Sequence, residues 1–205
     1  MPPRTTLTLV RHGETSANVE GIWHGSLDTA LTERGRAQAE RVAAHLAATR
    51  ADASALYASP LSRARDTAAA IAARLGLTAR TEGDLREYDL GAWEGMSYAT
   101  LVREHRLFER MQGEPDWQPG GGESARQVAE RLGGRLRAIA GAHPGERVVI
   151  VTHGGALTLA LGWLIDREPS AWRRVMHNCA VSDLAFDPHP SLVSWNETLH
   201  LEDLP

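Results

Sequence analysis

Apolar and polar positions along the chain follow two rhythms, and their order predicts an α/β fold. Leu7-Thr8-Leu9-Val10 is a short apolar run that stops at Arg11-His12-Gly13, the pattern of a buried strand closed by a glycine. Residues 19–30, with Gly21, Trp23, His24, Gly25 and Asp28, keep neither period and read as loop. From Leu31 the period moves to 3.6. Thr32 is placed as an N-cap, and Ala39, Val42, Ala43, Leu46 and Ala47 share one face, so this helix packs on a sheet. Residues 55–58 predict a second strand. Pro60 then fits the first turn of a helix whose buried stripe is Ala64, Ala68, Ile71, Ala72 and Leu75, ending at Gly76. Ser124 and Gln127 form a capping box ahead of a helix that buries Ala125, Val128, Ala129, Leu132, Leu136 and Ile139. Val148-Val149-Ile150-Val151 is a run of β-branched residues that predicts a central strand of a parallel sheet. It runs directly into Thr152-His153-Gly154. Residues 156–165 are apolar nearly all round and predict a buried helix. Residues 180–186 and 192–195 read as closing strands, joined by a turn at Asp187-Pro188-His189-Pro190. With no repeat and no linker, residues 1–205 are expected to form one domain.

Composition narrows the classes. The formal charge is −4 and the apolar fraction 42%, which gives no electrostatic footprint for nucleic acid or an anionic membrane. One cysteine, Cys179, excludes an internal disulfide and a cysteine-based metal cluster, and reads as a small buried hydrophobe. No apolar run is long enough to span a bilayer, and Met1-Pro2-Pro3-Arg4-Thr5-Thr6 has no signal-peptide core, so a cytoplasmic location is expected.

The candidate chemistry collects at strand ends. In open α/β sheets ligands sit outside the carboxyl ends of the strands, where Arg11-His12 and His153 both fall. A histidine there can act as nucleophile or base, and an arginine beside it suits a phosphate or carboxylate. Arg63 lies in the opening turns of a helix that follows a strand, where the helix N-terminus and the guanidinium both favour an anion. Among the acids of segment 84–95, the residues themselves do not choose between Glu87, Asp89 and Glu94. Residues 97–122 hold Tyr98, His105, Phe108, Met111 and Trp117. They are expected to form a helix over 97–111 and then a loop, together either a cap or lid that carries the specificity for the organic part of a substrate, or a surface excursion whose aromatics pack on its own helix. No Walker motif, dinucleotide fingerprint or Gly-x-Ser-x-Gly elbow occurs.

These motifs together resemble the histidine phosphatase superfamily, the phosphoglycerate mutase-like proteins. The family's opening Arg-His-Gly with a following Thr and Asn is matched by Arg11, His12, Gly13, Thr15 and Asn18. Its Leu-Thr-x-x-Gly-x-x-Gln-Ala is matched at 31–39, read as scaffold, and its Ser-Pro-Leu-x-Arg-Ala at 59–64. Leu85-x-Glu87, followed by Gly91, Trp93, Glu94 and Gly95, is similar to the segment that carries the family's proton donor at its first glutamate. Thr152-His153-Gly154 matches the second histidine motif. Asn178 matches an asparagine before the closing strand, with a structural role only. The resemblance implies a three-layer α/β/α sandwich around a mostly parallel sheet, and a phosphatase for small phosphate monoesters that needs no metal and no cofactor. It implies that His12 forms a phosphohistidine, with its second ring nitrogen donating to a backbone carbonyl. Arg11, Arg63, His153 (protonated while phosphate is bound) and Asn18 would hold the phosphoryl group. Glu87 would protonate the leaving oxygen, its pKa raised by neighbouring negative charge and partial burial. His24 stands where the family often has a glutamine and is a candidate for the pocket mouth. Zinc on His12, His24 and His153 is disfavoured by the adjacent arginines. Two alternatives remain: a mutase-type phosphotransferase, for which 205 residues leave little material to exclude water, and a non-catalytic module that binds phospho-ligands. The expected partner is a small phosphate ester, with no nucleic acid and no membrane. The oligomeric state stays open, a homodimer included.

Overall fold

Strand β1 (Thr5–Arg11) has hydrogen-bonded neighbours on both edges and helices on both faces, which is why its apolar run is uninterrupted. The computed structural model describes residues 4–170, 174–187 and 189–204. Among them, β1 joins β2 (Ala53–Ala58), β3 (Ala79–Thr81), β4 (Arg147–Thr152), β5 (Val181–Phe186) and β6 (Pro190–Leu192) in a six-stranded sheet of order β3-β2-β4-β1-β5-β6. The pairs β1–β4, β2–β4 and β2–β3 are parallel, while β5 and β6 close the far edge antiparallel. The mostly parallel sheet is the expected one.

Helices α1 (Ser16–Glu20), α2 (Glu33–Thr49), α3 (Ser62–Leu75), α4 (Tyr98–Arg103), α5 (Leu107–Gly113), α6 (Ala125–Ala142) and α7 (Gly154–Leu161) surround it. The pleat sorts β4 between two cores. Val148 and Ile150 pack with Leu7 and Leu9 against α6 and α7. Val149 and Val151 pack with Val10 against Val42, Leu46, Ala64, Ala68 and Ile71 of α2 and α3. This is the three-layer α/β/α arrangement. Each fully buried aliphatic side chain contributes roughly 1.5–3 kcal/mol to these layers. The caps form as the sequence predicts: Thr32 accepts from Gly35 N, and Ser124 and Gln127 close a full capping box. Gly76 ends α3 in the left-handed conformation.

Several boundaries differ from expectation. Pro60 precedes α3, whose N-cap is Leu61. The edge strand β3, only three residues long, is too short for a period to register. The helix expected over 97–111 breaks into α4 and α5, because Arg106 adopts a left-handed φ of 52°. The turn lets Leu101, Leu107 and Met111 all reach the core. The apolar helix expected over 156–165 is α-helical to Leu161 and then widens into a π turn over Gly162–Asp166. The last strand comes early, at Pro190–Leu192 instead of 192–195, and Pro188 of the expected turn lies outside the described residues. Among the described residues no helix is long and apolar enough to cross a membrane.

Candidate active site

The parallel register pairs Arg11 with Thr152, so the residues that follow, His12 and His153, leave the sheet side by side at the carboxyl ends of β1 and β4. Their ring centroids are 5.1 Å apart. His12 is buried, and its Nδ1–H donates to the Gly13 carbonyl at 2.7 Å. That bond fixes the tautomer and leaves the Nε2 lone pair unprotonated. Burial, with the positive charge of Arg63 and Arg11 and the neighbouring His153, holds the His12 pKa well below its usual value. His153 is likewise lowered, by burial first and then by Arg63. Both rings are therefore neutral at pH 7, and protonated His153 requires an anion beside it.

Arg63 is fully buried at the start of α3, although most helical arginines are solvated. Its Nη1 and Nη2 donate to the carbonyls of Leu27 (2.8 Å) and Gly25 (2.7 Å). Burial lowers its pKa to about 10, so it stays charged at neutral pH. Arg11 donates through Nη1 to the Met176 carbonyl at 2.6 Å. The Nε atoms of Arg11 and Arg63 and Nδ1 of His153 are buried and have no protein partner. Buried polar atoms are rarely left so, and three in one cluster mark a place for an anion. Asn18 lines one cavity with Arg11. Its Oδ1 accepts from Thr15 N, Thr15 Oγ1 and Asn178 Nδ2, which turns its own Nδ2 donors to other use.

Glu87 lines the cavity with Arg11 and Asn18. Its carboxylate accepts from the backbone N–H groups of Tyr88 (2.8 Å), Gly155 (3.0 Å) and Ala156 (2.6 Å), the last two at the N-terminus of α7. Asp89 and Glu94 are engaged elsewhere: Asp89 accepts from Gly91 N, and Glu94 binds Ser26 through N and Oγ. His24 is buried at the cavity edge, with Nδ1 at 2.6 Å from Thr29 Oγ1 and its ring 5.8 Å from that of His12. Burial and the two arginines lower its pKa to about 3. The cavity lined by Arg11, Asn18, His24, Glu87 and Gly155 has a volume of about 350 Å³, at the small end for ligand pockets. Among the described residues, no three His, Cys, Asp or Glu side chains are gathered for a metal.

Other residues in this site escaped the sequence reading. Ser59 Oγ is 2.7 Å from His153 Nε2, and Thr67 Oγ1 accepts from Gly13 N. Arg131, on α6, donates to the carbonyls of Asp84, Arg86 and Glu87 and pairs with Glu123 at 2.8 Å. It fixes the segment that carries Glu87. Gly155 is required by proximity: a Cβ there would stand 2.8 Å from Glu87 Oε1. Gly35, assigned to scaffold, lets α2 start against the backbone of Glu14, which a Cβ would meet at 2.0 Å. Within 97–122, Tyr98 lines the cavity. Trp117 instead packs on Trp93 and beneath Arg110.

A neutral histidine with a defined lone pair, facing buried arginines at the edge of a parallel sheet, defines an α/β protein built to handle a phosphoryl group. The sequence matches the model of the histidine phosphatase superfamily (branch 1) over residues 7–198, and the chain belongs to that family. It is 38% identical over 206 residues to phosphoglycerate mutase-like protein 4 of Arabidopsis thaliana, covering 96% of this chain and 87% of that one. It is 35% identical over 205 residues to the metal-independent phosphoserine phosphatase of the same plant, covering 98% and 84%. The solved structure of mycobacterial glucosyl-3-phosphoglycerate phosphatase in complex with VO3 superposes with a TM-score of 0.82 at 31% identity, covering 93% of this chain and 98% of that one.

Proposed function

We propose that this chain hydrolyses small phosphate monoesters without a metal, through a phosphohistidine on His12, with Glu87 as the proton donor. The observation that carries the reading is the Nδ1–H bond from His12 to the Gly13 carbonyl, set among the partnerless Nε atoms of Arg11 and Arg63. Such a ring attacks only through Nε2. In the first step that lone pair forms the N–P bond while the ester P–O bond breaks. The leaving alkoxide takes the proton of Glu87. Arg11, Arg63, His153 and the Asn18 amide hold the equatorial oxygens, where charge spreads in the transition state. A bound phosphoryl dianion supplies the negative charge that favours protonation of His153. In the second step Glu87 takes a proton from water, which attacks phosphorus as the N–P bond breaks. Inorganic phosphate and neutral His12 result. His24, neutral at the cavity edge, borders the path of the leaving group.

The test is phosphate release from an aryl phosphate in the presence of EDTA. Wild type is expected to turn over, His12→Ala to lose at least 10³-fold, and Glu87→Gln to lose far more on alkyl than on activated aryl esters. Release abolished by EDTA, or retained in His12→Ala, refutes the phosphohistidine route. Phosphate transferred to a second hydroxyl instead of water identifies a mutase.

A further inference from the structure

Beyond the phosphoryl cradle the cavity changes character. Its lining includes Ile22, Tyr98 and Val175, and Tyr98 and Val175 are 42% and 64% exposed. Large apolar side chains left this open are uncommon outside binding surfaces when they cluster. The wall is also rigid. Tyr98 lies parallel to Trp23, their ring centroids 6.2 Å apart, and its centroid is 5.5 Å from that of Phe108. The two segments that carry Trp23 and Tyr98 are stitched by Trp23 N to Met96 O (2.9 Å), Gly95 N to Trp23 O (2.8 Å) and Tyr98 N to Gly21 O (2.7 Å). Such an aromatic plate accepts an apolar group at small entropic cost. The charged side chains of the described lining are Arg11 and Glu87, both at the phosphoryl end, and Glu87 opposes a second carboxylate near it. Arg174, next to Val175 in the chain, is engaged with Asp166.

We propose that the leaving group this site selects is an apolar alcohol or phenol seated against Ile22, Tyr98 and Val175, so that its substrates are alkyl and aryl phosphate monoesters in preference to phosphoserine or phosphoglycerate. The inference rests on the phosphatase reading above and extends it to the organic half of the substrate. It also assigns Tyr98 and Val175 as specificity-determining residues.

The test measures kcat/KM for the n-alkyl phosphates from ethyl to hexyl, with phosphoserine, 3-phosphoglycerate and p-nitrophenyl phosphate alongside. Leaving-group acidity hardly changes along the alkyl series, so a slope reports burial of chain. A rise of roughly two- to fourfold per methylene is expected, with hexyl phosphate exceeding both carboxylated esters. Tyr98→Ser should lower the hexyl-to-ethyl ratio about tenfold. Val175→Lys, at an exposed site where folding is not at stake, should raise phosphoserine relative to hexyl phosphate at least fivefold. A flat alkyl series, or a preference for phosphoserine or phosphoglycerate in the wild type, overturns the proposal while leaving the phosphatase reading intact. No phosphate from any ester, p-nitrophenyl phosphate included, overturns both.

Discussion

Three histidines buried in the neutral form should make the fold acid-sensitive in a pH range where carboxylates are still ionised. His12, His24 and His153 all have pKa values lowered by burial and by the site arginines, His24 to about 3. In the unfolded chain each returns to about 6.5. Between these limits the unfolded state binds protons that the folded state refuses, so stability falls as pH drops below about 6.5. From pH 7.5 to 5.5 the cost is about 1.4 kcal/mol for each histidine that stays neutral, or about 4 kcal/mol for the three. His45 and His200 shift in the same direction, but both are partly exposed and add less. The assay is urea unfolding at the two pH values for wild type and His24→Gln. Glutamine does not titrate, so the difference between the two pH values should shrink by about 1.4 kcal/mol in the variant, whatever it does to stability at pH 7.5. An equal pH dependence in both proteins would show that His24 titrates normally when folded, and the electrostatic account of the site would fail with it.

Two further substitutions test positioning. Gly155→Ala puts a methyl group against Glu87 Oε1 and should lower kcat about 10²-fold on alkyl esters, and much less on p-nitrophenyl phosphate; equal losses on both would argue against displacement of the acid. Arg131→Met frees the carbonyls of Asp84, Arg86 and Glu87 and leaves Glu123 with the half-exposed Arg86 as its cation and a long bond from Asp89 N–H. A loss of about 2–3 kcal/mol in urea unfolding is expected, with partial recovery in Arg131→Met/Glu123→Gln; no recovery would mean that the ion pair is not what Arg131 contributes.

What could be read from the sequence was whatever chemistry sits next to its own structural signal. His12 and His153 each follow an apolar run with a strand's pattern, so their placement at one sheet edge came from local information. Glu87 did not: the residues left it level with Asp89 and Glu94, and family likeness alone singled it out. Its environment comes from Gly155, Ala156 and Arg131, which lie 44 to 69 residues away, and no local period reports such a contact. The same holds for Ser59 on His153, 94 residues apart. The break between α4 and α5 was hidden for another reason. Arg106 has no sequence preference for a positive φ, and the break follows from burying Leu101, Leu107 and Met111 together.

The position of β1 in the sheet also sets when this protein can exist as a working molecule. Its two hydrogen-bonded neighbours are β4 and β5, so during synthesis β1 waits for partners that begin at Arg147 and Val181. Pairings so distant in sequence close slowly, and an apolar strand left unpaired in the meantime is open to wrong partners. The loop bearing His12 is tied down at nearly the same point, when Asn178 donates to the His12 carbonyl and Cys179 N–H reaches the carbonyls of Arg11 and His12. A nascent chain that stops short of Asn178 thus leaves the backbone at His12 without these bonds. The placement of His12 therefore depends on residues 166 or more positions further along the chain.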